Sequence, residues 1–258
     1  MLTEPRALIR DLGDLDSDYP ETLARLFPEE RPVWQRQGPP FLALMGRGYP
    51  LNLCSGIAQL PPSPSLLAEL EEPFRERGLP PALETDLRSQ QWTELLRRSG
   101  YQQSRVLSLL VRDPHPTPPG GSGPEISVRA ADNLVEWQAA EATAWEHGRS
   151  EQDLRFSEVA FSLPRSQHFI AFYGGSACGV GSLRSGSAAA WLVGGATSSA
   201  ARRRGIQSAL IAARLQAAAE LGAEAVAVQA ASGGDSERNL LRAGFRPVTS
   251  LGTFKKEI

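Results

Sequence analysis

The chain reads as an α/β (α+β) protein, with a mixed sheet flanked by helices, and three observations predict it. Residues 112–125, RDPHPTPPGGSGPE, hold five prolines and three glycines with almost no apolar side chains, and so divide the sequence. Beyond that break, strand-like alternation and helical periodicity succeed one another in the order β-α-α-β-β-β-α-β-α-β. Strands follow strands in the middle of this series, unlike the strict alternation of a dinucleotide-binding fold.

Each element has its own reason. Residues 126–129 alternate and predict a strand, and 131–145 and 153–163 predict two helices. Residues 168–173 form a strand that runs into Gly174-Gly175, a hairpin turn signal, and 178–183 continue it. Residues 188–197 are the next strand. Residues 206–221 predict a helix with Ile206, Leu210, Ala213, Ala217 and Leu221 on one face and Gly222 as its C-terminal stop. A β-rich run at 224–230, a short helix at 235–243 and strand material at 245–256 complete this part.

The preceding part ends in a similar way. Residues 51–58, 82–86 and 101–111 are strand-like, and 65–77 and 91–98 are helical. The run Glu94 to Tyr101, ELLRRSGY, and the run Arg238 to Phe245, RNLLRAGF, both read helix, glycine, aromatic, strand, 144 positions apart. This suggests an internal repeat, although any helix–Gly–strand junction has the same outline. The expected domains are residues 1–112, a linker at 113–124, and residues 125–258.

Composition sets bounds. The formal net charge is -2, from 27 basic and 29 acidic residues, which argues against a general nucleic-acid binder. The acidic N-terminus lacks the apolar run of a signal peptide, and no apolar stretch is long enough to span a membrane. Cys54 and Cys178 stand far apart, as free thiols would in a reducing cytoplasm. His115, His147 and His168 show no ligand spacing, so no metal is expected.

The chemistry concentrates between the strand at 188–197 and the helix at 206–221. Gly194-Gly195 interrupt the strand, which marks a bulge or a close backbone approach. Arg202-Arg203-Arg204-Gly205-Ile206-Gln207 then lead into the helix. The first amides of a helix lack intrahelical partners and carry the positive end of its dipole, which makes an anion site. Gly205 lets a phosphate approach without a Cβ in the way. Three arginines there oppose the dipole, so a bound anion would offset them.

This segment resembles the GCN5-related N-acetyltransferase (GNAT) family, whose motif Arg/Gln-x-x-Gly-x-Gly/Ala joins the family's fourth strand to its third helix. Arg202, Gly205 and Gln207 occupy the defined positions, Gln207 departing from the usual small residue. The resemblance covers residues 125–258, and Ser236-Glu237-Arg238-Asn239 followed by Arg242-Ala243-Gly244-Phe245 also resembles one branch of the family. It implies a mostly antiparallel sheet and binding of acetyl-CoA without a metal. Gly195, Ala196 and Thr197 would lie along the pantetheine arm. Amides of Arg203, Arg204, Gly205, Ile206, Gln207 and Ser208 would wrap the pyrophosphate, with Arg202 and its neighbours near the 3′-phosphate. Asn239 would reach the cofactor tail.

The implied reaction is direct acetyl transfer to the primary amine of an unknown acceptor. Many members protonate the leaving thiolate with a tyrosine on the last helix. The matching register here holds Leu240 or Leu241, and no tyrosine follows Tyr173. The general acid is therefore unassigned, with Ser236 a weak candidate that also suits an N-cap. For the base, Glu141, Glu146 and His147 are weak candidates, and Trp137, Trp145 and Trp191 are either pocket walls or core. The N-terminal part has Gln59-Leu60-Pro61-Pro62-Ser63-Pro64 where the motif would be, and prolines have no amide hydrogens to give a phosphate. It is either a degenerate GNAT-like half or a scaffold. Two other readings stay open: an acyl-CoA sensor without turnover, and a nucleotide or phosphate binder unrelated to CoA. Acceptor identity and oligomeric state are not legible.

Overall fold

A computed structural model describes residues 4–36, 38–114, 125–146 and 150–257. Most of the Pro/Gly-rich linker and His147 lie outside the described residues. In chain order the elements are α1 (Pro5–Leu26), β1 (Val33–Gln35), β2 (Phe41–Leu44), β3 (Asn52–Ser55), α2 (Pro64–Glu76), β4 (Ala82–Asp86), α3 (Gln90–Arg98) and β5 (Gln102–Arg112). Then come β6 (Ile126–Ala130), α4 (Leu134–Trp145), α5 (Glu151–Phe161), β7 (Ser166–Tyr173), β8 (Ser176–Ser185) and β9 (Ala190–Thr197). The last are α6 (Ile206–Glu220), β10 (Val226–Ala231), α7 (Asp235–Arg242) and β11 (Arg246–Lys255). Every element expected after the linker is present, with ends displaced by a few residues. Among the described residues no helix is long and apolar enough to cross a membrane.

The chain forms two compact units that are not continuous in sequence. One gathers Glu4–Leu109, Ala230–Gly234 and residues 247–257. Its strands run in the order β1-β2-β3-β4-β11-β5, with β3 parallel to β4 and β11 antiparallel to it. Leu53, Cys54, Leu70, Phe74, Leu83, Trp92, Leu96 and Phe254 build its core. The Trp92 indole N–H, buried there, donates to the Leu60 carbonyl at 2.9 Å, which satisfies it.

The other unit holds Leu110–Gln229 and Asp235–Arg246. Its sheet has the order β10-β9-β8-β7-β6, antiparallel except for the parallel pair β10 and β9. Asn133 caps α4 through the Glu136 amide, and Ser150 with Asp153 makes a capping box on α5. Trp137, Ala140 and Ala144 of α4 pack on Ile170 and Val180 of the sheet.

Helix α6 corrects one expectation. Ile206, Leu210 and Ala217 are buried as the periodicity predicts, but Leu221 is 51% exposed. The buried stripe instead continues through Arg214, which is 4% exposed. A charged side chain at a core position is invisible to a count of apolar residues.

Two helix ends share one design. After α3, Gly100 N–H bonds Arg97 O and Tyr101 N–H bonds Leu96 O; after α7, Gly244 N–H bonds Leu241 O and Phe245 N–H bonds Leu240 O. Both are Schellman closures, each with an aromatic residue returning onto the last turn.

Candidate active site

The expected anion loop follows the end of β9, which has parted from β10 but not from β8. Parallel pairing of β9 with β10 joins Ala190, Trp191 and Leu192 to Val226, Ala227 and Val228, and goes no further. On the other side, Val180 faces Ala196 and Ser182 faces Val193, so Gly181 alone opposes Gly194 and Gly195. That is a β-bulge, with Gly194 at φ +60°. Gly195 is exposed, and Ala196 and Thr197 are half-buried. The sheet is thus splayed beside residues 193–197.

Beyond β9, a turn of 3₁₀-helix at Ser199–Ala201 leads to an extended Arg202, then Arg203 at φ +62° and Gly205 at φ +87°. The first bond of α6 runs from Ala209 N–H to Gly205 O, 3.0 Å. The amides of Ile206, Gln207 and Ser208 precede that bond and belong to the open start of the helix. Ile206 is buried, which anchors the turn, while Arg202, Arg203, Arg204, Gly205 and Ser208 are exposed. The Arg204 guanidinium lies 4.7 Å from the Tyr173 ring centre, a cation–π contact that gives the loop a wall on β7. The Glu146 carboxylate accepts the Ser199 amide at 2.6 Å. Hydrogen bonds from Ser199, with the charge of Arg202, hold that carboxyl below its usual range. Glu146 therefore fixes the approach to the loop as an anion, a role for which its position in sequence gave no signal.

Gln207, the departure from the small residue of the motif, has a structural use. Its Nε2 donates to Ser236 Oγ at 3.3 Å, and its Oε1 accepts from Asn239 Nδ2. Asn239 Oδ1 in turn accepts from Arg242. The side chain ties the start of α6 to α7, bringing Gln207, Ser236 and Asn239 into one polar chain beside the loop. Glu141 is half-buried on α4, one turn beyond Trp137. Trp137 and Trp191 are core residues, and Trp145 is exposed. In the register where the resemblance leads one to expect a tyrosine, Leu240 is buried and Leu241 exposed.

His168, which had no role in the sequence reading, is buried on β7. Its Nε2 lies 3.1 Å from the Phe161 carbonyl, which only accepts, so Nε2 carries the proton and Nδ1 accepts from Ser182 Oγ at 2.8 Å. Burial, aided by the charge of Arg184 and opposed by the Phe161 hydrogen bond, pushes its pKa down to about 4. The imidazole is neutral at pH 7 and ties β7 to α5 and β8.

Residues 131–245 match the family described as "Acetyltransferase (GNAT) family". Among solved structures, the chain is similar to a GCN5-related N-acetyltransferase from Kribbella flavida, at 16% identity and TM-score 0.68, covering 93% of this chain and 96% of that one. A GCN5-related N-acetyltransferase from Sphaerobacter thermophilus matches at 16% identity and TM-score 0.62, over 80% and 73% of the two chains. A tandem GNAT protein from the clavulanic acid biosynthesis pathway matches at 17% identity and TM-score 0.56, over 84% and 73%. These likenesses concern the fold. No curated protein matches the chain. The splayed sheet and the glycine turn before α6 fall inside the matched residues, and residues 131–245 form a domain of the GNAT family of acetyltransferases.

Proposed function

We propose that the protein is an acetyl-CoA-dependent N-acetyltransferase acting on a primary amine. The observation that carries this reading is the continuity of the Arg202–Ser208 turn with the splayed edge of β9. The turn offers backbone amides and arginines to a pyrophosphate, and the edge at Ala196 and Thr197 offers a strand partner to the amide-bearing pantetheine arm. An arm paired along β9 in this way would have its thioester near the bulge at Gly194-Gly195. The thioester supplies the acyl group. The chain's part is to bind and orient it and to exclude water. Asn239 contributes from α7, and Ser236, which accepts a hydrogen bond from Gln207, stands beside the pyrophosphate turn. The N-terminal unit is read as a degenerate GNAT-like half that serves as scaffold. The Schellman closure after α3, which matches the one after α7, supports this, as does the 84% of the chain over which a tandem GNAT structure shares the fold.

Calorimetric titration with acetyl-CoA and with CoA tests the donor site: micromolar binding is expected, and no heat from either sinks the reading. The leucines standing where many relatives have tyrosine favour a second reading, an acyl-CoA sensor without turnover. Thiol release with any member of a broad amine panel excludes it.

A further inference from the structure

Arg214 is a full charge in the core of its unit, 4% exposed, and among the described residues no carboxylate pairs with it. Burial pushes its pKa down to about 10, so it stays protonated at pH 7. Such a cation is costly to bury unless its hydrogen bonds do something for the fold or the site.

Its contacts show where the charge is directed. Nε donates to Leu210 O, one turn back on α6, at 3.0 Å. Nη1 reaches Ser182 O at 3.4 Å and Val193 O at 3.5 Å, the residues that flank the bulge on β8 and β9. The sequence makes room for this. A Cβ on Gly181 would stand 2.8 Å from the guanidinium carbon, and one on Gly195 would stand 3.6 Å from Nη2. The guanidinium therefore lies across the bulge, against the single residue on one strand and the pair on the other.

Resting on the acetyl-CoA reading above, we infer that Arg214 is a positioning residue for acyl transfer. It staples the Gly181/Gly194-Gly195 bulge open and places its positive charge beneath the thioester, where the carbonyl oxygen gains negative charge. It touches neither the acceptor nor the leaving sulfur. In a buried setting a fixed charge directed at a developing one is worth far more than in water.

The test needs no knowledge of the acceptor. Acetyl-CoA labelled with ¹³C at the carbonyl is bound to the full chain, and its bound-minus-free shift is read by NMR beside the CoA dissociation constant. Arg214→Met keeps the volume and removes the charge. The expected result is loss of more than half of the shift, and at least a tenfold fall in acetyl-CoA hydrolysis to water. CoA affinity should stay within threefold of wild type, because the pyrophosphate loop is untouched. Gly181→Ala is an independent variant that leaves Arg214 in place and displaces its guanidinium; it should lose the shift too, so the inference stays testable if Arg214→Met does not fold. A wild-type protein that does not bind acetyl-CoA overturns the donor reading and this inference with it. A wild-type shift retained in Arg214→Met, or in Gly181→Ala where Arg214→Met does not fold, overturns the inference alone.

Discussion

Gly205→Ala and Gly222→Ala form a matched pair at the two ends of α6. Gly205 has φ +87° and Gly222 φ +72°, the left-handed region that an L-residue enters at a cost of about 1–2 kcal/mol. Neither site adds a clash: a Cβ at Gly205 would meet only Ile126 Cδ1 at 3.7 Å, and one at Gly222 would meet nothing within 4 Å. Gly222 closes a Schellman motif through Ala219 O, with Ala223 N–H on Ala218 O, and it is far along the helix from the arginines. Both variants should therefore lose similar stability, a melting shift of about 2–8 °C for a chain of this size. Only Gly205→Ala relieves its strain by turning the peptide groups of the anion cradle. Misdirecting one amide that serves a charged phosphate costs about 1.5–3 kcal/mol, a CoA affinity lower by about 10- to 150-fold. Gly222→Ala should bind CoA within twofold of wild type. Thermal melts and calorimetry on the two proteins decide it, and equal CoA affinities in the pair would refute the placement of the pyrophosphate.

Three further outcomes are expected. His168 has its folded pKa near 4 against an ordinary 6.5, so the unfolded chain binds the proton more tightly; stability is full above about pH 6.5 and falls by about 3 kcal/mol as pH drops towards 4. Urea titrations across that window should show a flatter pH dependence for His168→Asn than for wild type; identical slopes would place the imidazole's proton linkage elsewhere. The Gln207–Asn239 contact should appear in a double-mutant cycle with alanine as a coupling of about 0.5–1.5 kcal/mol in denaturant unfolding, and strict additivity would mean the pair is not formed in solution. Gly13→Ala should destabilise by about 1–3 kcal/mol although alanine is the better helix former, because its Cβ would stand 2.3 Å from Phe41 Cγ. Phe41→Leu should recover part of that loss, and a stabilised Gly13→Ala protein would show that α1 does not pack on β2 this way.

How much was legible depended on whether the signal was local. The C-terminal elements were, because their periods are clear and glycine ends α6 and α7. The turn before α6 was legible as a turn, since a strand end, a glycine and a helical period follow one another in sequence. α1, β1 and β2 were not read at all. Gly13 and Pro20 interrupt α1, and Asp11 and Asp18 are buried on the same side as Leu8, Leu12 and Leu15, so its inner face does not look apolar. Arg214 and His168 were missed for the same reason. Their burial depends on Gly181 and Ser182, distant in sequence and adjacent only across the sheet. The bond from the Ser199 amide to Glu146 likewise joins residues with no local relation.

The place of β11 carries a consequence for how the chain is made. This strand lies between β4 and β5 in the order of the unit that begins at Glu4, so that unit's sheet has a gap until residues 247–257 arrive. During synthesis the earlier residues cannot complete their own sheet as they emerge from the ribosome, although domains usually fold in that order. They must wait, partly assembled, for nearly all the remaining chain to be translated. Premature termination between the linker and β11 would leave the unit that begins at Glu4 without its finished sheet, and the exposed edges of β4 and β5 would mark the truncated chain for proteolysis.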